Sequence, residues 1–173
     1  WTGHATMLTS RLIDRLEAYT GEEMDYARDI ADASPSGFWK FLCSSPLLAH
    51  TGAVPAHLSH LARIGSLLVE DCGPCVRIAL NLARRDDVPA ELLRAAIAGG
   101  ENLPPTERDA YRFGRGVAAG EPIDDALRER LRAVVGDRGI ADLTLAAAAV
   151  RIYPALKRGL GYAQSCSLVE LEV

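Results

Sequence analysis

The chain has 173 residues, 49% of them hydrophobic, which is one domain length with enough apolar mass for a core, and this excludes a disordered segment. Its 19 Lys and Arg against 23 Asp and Glu give a net charge of −4, without the basic excess of a nucleic-acid binder or of a protein that docks on an anionic membrane. Four cysteines are too few for a disulfide scaffold, no run of about 18 apolar residues reads as a membrane span, and the start WTGHATMLTSRLIDRLEAYTG lacks the basic-then-apolar order of a signal peptide, so a cytoplasmic setting is expected.

Ala (27) and Leu (23) outnumber the 10 aromatics fivefold, a bias toward helices. Met7, Leu8, Leu12, Ile13 and Leu16 predict a first helix over 7–18. A more polar helix follows over 22–33, with acids in its first turn. After the punctuation Ser34-Pro35-Ser36-Gly37, residues 38–49 predict a short aromatic-rich helix interrupted at Pro46. Pro55 opens a helix over 55–69 that is apolar around most of its circumference and therefore buried. Further helices are predicted over 73–85, from Pro89 to Gly99-Gly100, from Pro104-Pro105 to Gly120, over 123–135 and over 138–163, the last kinked at Pro154. The tail Ser167–Val173 shows no helical pattern, and no useful stretch alternates like a strand. The expectation is one all-α domain of about eight or nine helices, with N-terminal helices over 1–50 and a core over 51–165.

Glu70-Asp71-Cys72-Gly73-Pro74-Cys75 is the most informative stretch. Cysteines three apart at a helix start bring both sulfurs within bridging reach, so that one thiolate can attack and the other resolve. Gly-Pro between them suits a helix entry, because proline gives up no needed hydrogen bond in a first turn. Free amides and the helix dipole there draw a thiol pKa from about 8.5 toward about 7 or lower. Glu70 and Asp71 oppose this with negative charge. Two buried, inert cysteines at a tight turn are the alternative. A thioredoxin-like fold, which also uses such a tetrad, needs a strand before it, and here a helical pattern precedes it.

If residues 69–71 form the turn of a helical hairpin, positions equidistant from residue 70 face each other. His60 then lies opposite Ala79, one turn beyond Cys75 on the same face, and can point toward Cys75. There it is either a base for the thiol, or in charged form a stabiliser of the thiolate, or else a hydrogen-bonded core histidine. Glu70 is either a member of that site or a solvated turn acid.

These residues resemble the alkylhydroperoxidase D-like, or carboxymuconolactone decarboxylase-like, family over roughly residues 51–163. The resemblance rests on a buried helix, the turn into Cys-x-x-Cys at a helix start, the short helix VPAELLRAAIAG and the later DLTLAAAAVRIYPALKRGLG. It implies the family's all-α fold, homo-oligomers, and thiol-dependent reduction of hydroperoxides without a cofactor, with a separate thiol reductant as partner. It also implies that Cys75 is peroxidatic and Cys72 resolving. The family's peroxidases carry Glu where this chain has His60, His where it has Ala79, and often His or an aromatic where it has Pro74. His60, with Glu70, is therefore the expected replacement for the missing proton relay.

Two other functions are open. One is a cofactor-free lactone decarboxylase, for which Cys-x-x-Cys is unnecessary. The other is a non-enzymatic helical module, in which His57, His60, Cys72 and Cys75 bind a structural zinc or the cysteines are inert. Gly114–Gly120 lacks the spacing of a phosphate loop and follows a helix. Cys43 and Cys166 read as apolar filler, and His4 and His50 carry no argument. Asp124, Asp125, Arg128 and Glu129 stand at helical spacing on a solvated face. The segments 38–49 and 141–150 are the expected subunit contacts, because a chain of 18.6 kDa has limited interior to cover nearly all-apolar helices.

Overall fold

A computed structural model describes residues 2–47 and 50–166. Its helices are α1 (Thr2–Thr20), α2 (Asp25–Ala33), α3 (Pro35–Ser44), α4 (Ala56–Val69), α5 (Gly73–Arg85), α6 (Ala90–Ile97), α7 (Pro105–Ala119), α8 (Asp125–Ala149) and α9 (Ile152–Leu160), with a 3-10 turn at Ser45–Leu47. No strand occurs among the described residues, as the all-α reading expects. The expected patternless tail, Ser167–Val173, lies outside them.

Proline sets the entrances of the central helices. Pro55, Pro89 and Pro104 stand at the N-caps of α4, α6 and α7, and Pro74 lies in the first turn of α5. Each occupies a place where a missing N–H costs nothing. Several expected boundaries move: α1 runs over Thr2–Thr20 rather than 7–18, and α3 over Pro35–Ser44 rather than 38–49. α2 starts at Asp25 rather than 22, because Gly21 (φ 76°) turns the chain and the Met24 amide donates to Glu17 Oε1 at 2.8 Å. The expected break between 123–135 and 138–163 is found at Gly136 (φ 72°), but the second stretch is not one helix: α8 ends at Ala149 and α9 follows. Pro154 ends α8 rather than kinking it, because its ring excludes the carbonyl four residues earlier, and Val150 is the residue where α8 stops.

α4 is the central helix, buried from Leu58 through Leu67 and packed on α7, α5, α8 and α6. It crosses α7 at very close range: a Cβ on Gly114 would collide with the Ala62 carbonyl, and one on Gly65 with the Tyr111 carbonyl. Ser66 Oγ donates to the Gly114 carbonyl at 2.8 Å across the same crossing. Gly114 is thus a packing glycine.

Asp142 of α8 accepts from the Ala53 amide at 2.9 Å and pairs with His50 Nε2 at 2.7 Å, which ties the linker before α4 to α8. Asp124 caps α8 by accepting from the Leu127 amide at 3.1 Å, and Arg128 pairs with Asp125 rather than with Asp124. The Ala-rich segment 141–150 corrects the expected contact face in part. Leu143, Ala146 and Ala147 are fully buried within the chain, which leaves Leu145 exposed. The stretch Asp125–Leu160 also contains an 18-residue window of mean hydropathy 1.3, long and apolar enough by composition to cross a membrane, which the sequence reading did not expect. In this fold 44% of that window is buried.

Candidate active site

α4 ends at Glu70, Asp71 turns the chain through a left-handed conformation (φ 50°), and Cys72 is the extended N-cap of α5. Cys72 and Cys75 are joined as a disulfide with their Cα atoms 5.3 Å apart. Both are buried, 3% and 4% exposed, in the core cluster with Leu61, Ile64, Val76 and Leu80.

The first turn of α5 has few amides to offer. The Gly73 amide donates to the Gln164 carbonyl at 3.0 Å, and Pro74 has none. Cys72 is the N-cap residue, and its side chain makes no capping hydrogen bond to this turn.

Glu70 is not a solvated turn acid. Its side chain is 9% exposed and pairs with Arg151 Nε at 2.7 Å and with Arg158 Nη2 at 2.5 Å. Burial pushes its carboxyl upward, but the hydrogen bonds from Arg151 and Arg158 outweigh this and hold it below its ordinary value. It is a fixed anion that accepts only, so proton transfer is closed to it. Its charge is neutralised by two arginines, which removes its share of the expected opposition to a nearby thiolate, while Asp71, held anionic first by the Cys166 amide, still opposes it.

His60 does not turn toward Cys75. Its Nε2 lies 2.7 Å from Asp86 Oδ2, at the far end of α5. Asp86 follows Cys75 by 11 residues, about 16 Å of helix at ~1.5 Å per residue. The reason is directional: helical side chains lean toward their own N-terminus. In an antiparallel pair, His60 therefore leans away from the turn and Cys75 leans toward it. Burial lowers the His60 pKa, Asp86 opposes that, and Arg63 adds to it, so the ring is held neutral and donates through Nε2. His57 Nε2 lies 3.5 Å from Glu107 Oε1. The four proposed zinc ligands are thus divided among three places, and no group of three candidate ligands is gathered among the described residues.

A segment that sequence reasoning missed closes over the turn. Past Gly161, which ends α9 in the left-handed region, residues 162–166 run back across the cysteine pair. Besides the Gly73–Gln164 bond, the Cys166 amide donates to Asp71 Oδ1 at 2.9 Å. Cys166 packs against the cluster that holds both paired cysteines. Burial, and after it the Asp71 charge and a hydrogen bond to Asp71, push the Cys166 thiol up to about 11. This third thiol stays protonated.

Comparison with protein-family models, curated proteins and solved structures finds no match for this chain.

Proposed function

We propose that the protein is a thiol-dependent oxidoreductase that cycles Cys72 and Cys75 between dithiol and disulfide, with a hydroperoxide as oxidant and a separate thiol as reductant. The observation that carries this reading is the bonded cysteine pair at the start of α5, in a turn whose acidic neighbour Glu70 is neutralised. Such a helix start favours a thiolate.

Cys72 is the attacking sulfur in this reading. The resemblance implies Cys75 instead, but His60, the residue expected to serve a thiol there, is committed to Asp86. Cys72 stands at the N-cap, nearest the positive end of the helix dipole, whereas Cys75 lies inside the first turn. The Cys72 thiolate attacks the peroxide O–O bond, gives a sulfenic acid and releases the alcohol with a proton from water. The Cys75 thiol then attacks the sulfenic sulfur, forms the disulfide and expels water. Two equivalents of external thiol restore the dithiol. Because both sulfurs are buried, segment 162–166 must open for either partner to reach them.

Stopped-flow consumption of hydrogen peroxide and cumene hydroperoxide tests this in the reduced wild type, Cys72→Ser and Cys75→Ser. Loss of the fast phase in Cys72→Ser, and its retention as a single turnover in Cys75→Ser, is expected. A fast phase in Cys72→Ser that Cys75→Ser lacks would reverse the two roles, and none in the wild type would remove the function.

A further inference from the structure

A cavity of about 340 Å³ lies between α2, α5 and α9, with Pro74, Arg77, Tyr26, Lys157, Tyr162 and Gln164 in its wall. Lys157 is its most unusual member. It is 3% exposed, on the inward side of α9. Its ammonium has no hydrogen bond and no ion pair among the described residues, and its nearest compensation is the Tyr26 ring, whose centroid is 5.2 Å away.

The neighbouring acid Glu22 acts on it only through its charge. Glu22 is paired with Arg77, whose Nη2 donates to Glu22 Oε2 at 2.7 Å and whose Nε lies 2.6 Å from Oε1, and it makes no hydrogen bond or ion pair with Lys157. Glu23 and Asp25 border the cavity but are exposed. Burial drives the Lys157 pKa down; Glu22 opposes this, and the Arg77 charge adds to it. A buried ammonium without a hydrogen-bonded counter-charge is costly, and such a group at a cavity wall calls for an anion.

We propose that this cavity is a binding site for a small organic monocarboxylate, whose carboxylate accepts from the Lys157 ammonium while its body lies beside Pro74. The volume is at the small end for ligand pockets, which suits a body about the size of one ring. Among the described residues of the wall, Lys157 is the cation without an ion pair, which matches one negative charge. The acidic border formed by Glu23 and Asp25 disfavours a dianion such as phosphate. The site goes beyond the redox reading, because nothing in it uses a cysteine sulfur. Its walls nonetheless include Pro74, between the two cysteines, and Gln164, from the segment that closes over them.

Titration of the full chain with benzoate, benzamide and inorganic phosphate, followed by amide chemical shifts and by thermal melting, tests the site. Saturable shifts at the cavity residues with benzoate are expected, with benzamide at least roughly tenfold weaker, since a charge-assisted bond is replaced by a neutral one. Lys157→Met is expected to melt above the wild type and to lose the benzoate response. The Cys72→Ser/Cys75→Ser double variant is expected to bind benzoate unchanged, so the site and the redox reading fail separately. No saturable benzoate binding, benzamide binding as tightly as benzoate, phosphate binding more tightly, or an unchanged benzoate response in a folded Lys157→Met would each overturn the proposal. Should Lys157→Met not fold, the wild-type comparison of benzoate with benzamide decides alone.

Discussion

A thiolate at Cys72 stands where α5 begins, and its chemistry is set by a few neighbours that can be removed one at a time. Glu70 is silenced by Arg151 and Arg158, Asp71 holds the closing segment, and His60 is elsewhere. His60→Ala is therefore expected to leave the alkylation rate of the reduced Cys72–Cys75 pair against pH unchanged. It should still cost about 1–3 kcal/mol of stability, through a core void and an unpaired Asp86. A shift of the alkylation profile would return His60 to the thiol site. The same residue fixes a sign. Its folded pKa lies below its ordinary 6.5, so the unfolded chain binds more protons at mildly acid pH. Its contribution is fully present above about 6.5 and is lost as pH falls through the lower folded value. Urea melts of wild type and His60→Ala across that range should converge toward acid pH. The Cys-x-x-Cys pair was legible because its spacing alone brings the sulfurs together. The partner of His60 was not, because hairpin register shows who is level with whom but not which way each side chain leans. Lys157 left one faint signal, a lysine four residues after Tyr153 on the apolar stripe of α9.

Among the elements, the helix starts were legible wherever proline supplied them, and the expected 73–85 agrees with α5. The break at Gly136, expected between 135 and 138, was legible too, whereas the end of α8 at Val150 was harder to read. A proline acts on the carbonyl four residues before it rather than at its own position. The closing segment 162–166 has no periodicity, since its bonds to Asp71 and Gly73 are made by backbone groups that any residue carries. The α4–α7 crossing is the most sensitive contact in the fold, because at Gly114 the obstacle is backbone rather than a movable side chain. Gly114→Ala is expected to destabilise by about 3 kcal/mol, at the upper end for overpacking, measured by urea unfolding. A loss below about 0.5 kcal/mol would mean that the helices separate freely there.

For the whole molecule, self-association is the open expectation. Trp39 and Leu47 in the aromatic segment and Leu145 on α8 remain 45%, 42% and 43% exposed. A homo-oligomer that covers them is proposed, and sedimentation at micromolar concentration is expected to find it; a monomer alone would count against it. The central claim concerns the cysteine pair and can be read by counting thiols. Fully reduced protein carries four thiols, and one equivalent of hydrogen peroxide in the absence of reductant is expected to leave two, Cys43 and Cys166. In Cys72→Ser the same pulse should leave all three remaining thiols. Four thiols surviving the pulse in the wild type would contradict the claim, and so would loss of Cys43 or Cys166 in place of the pair.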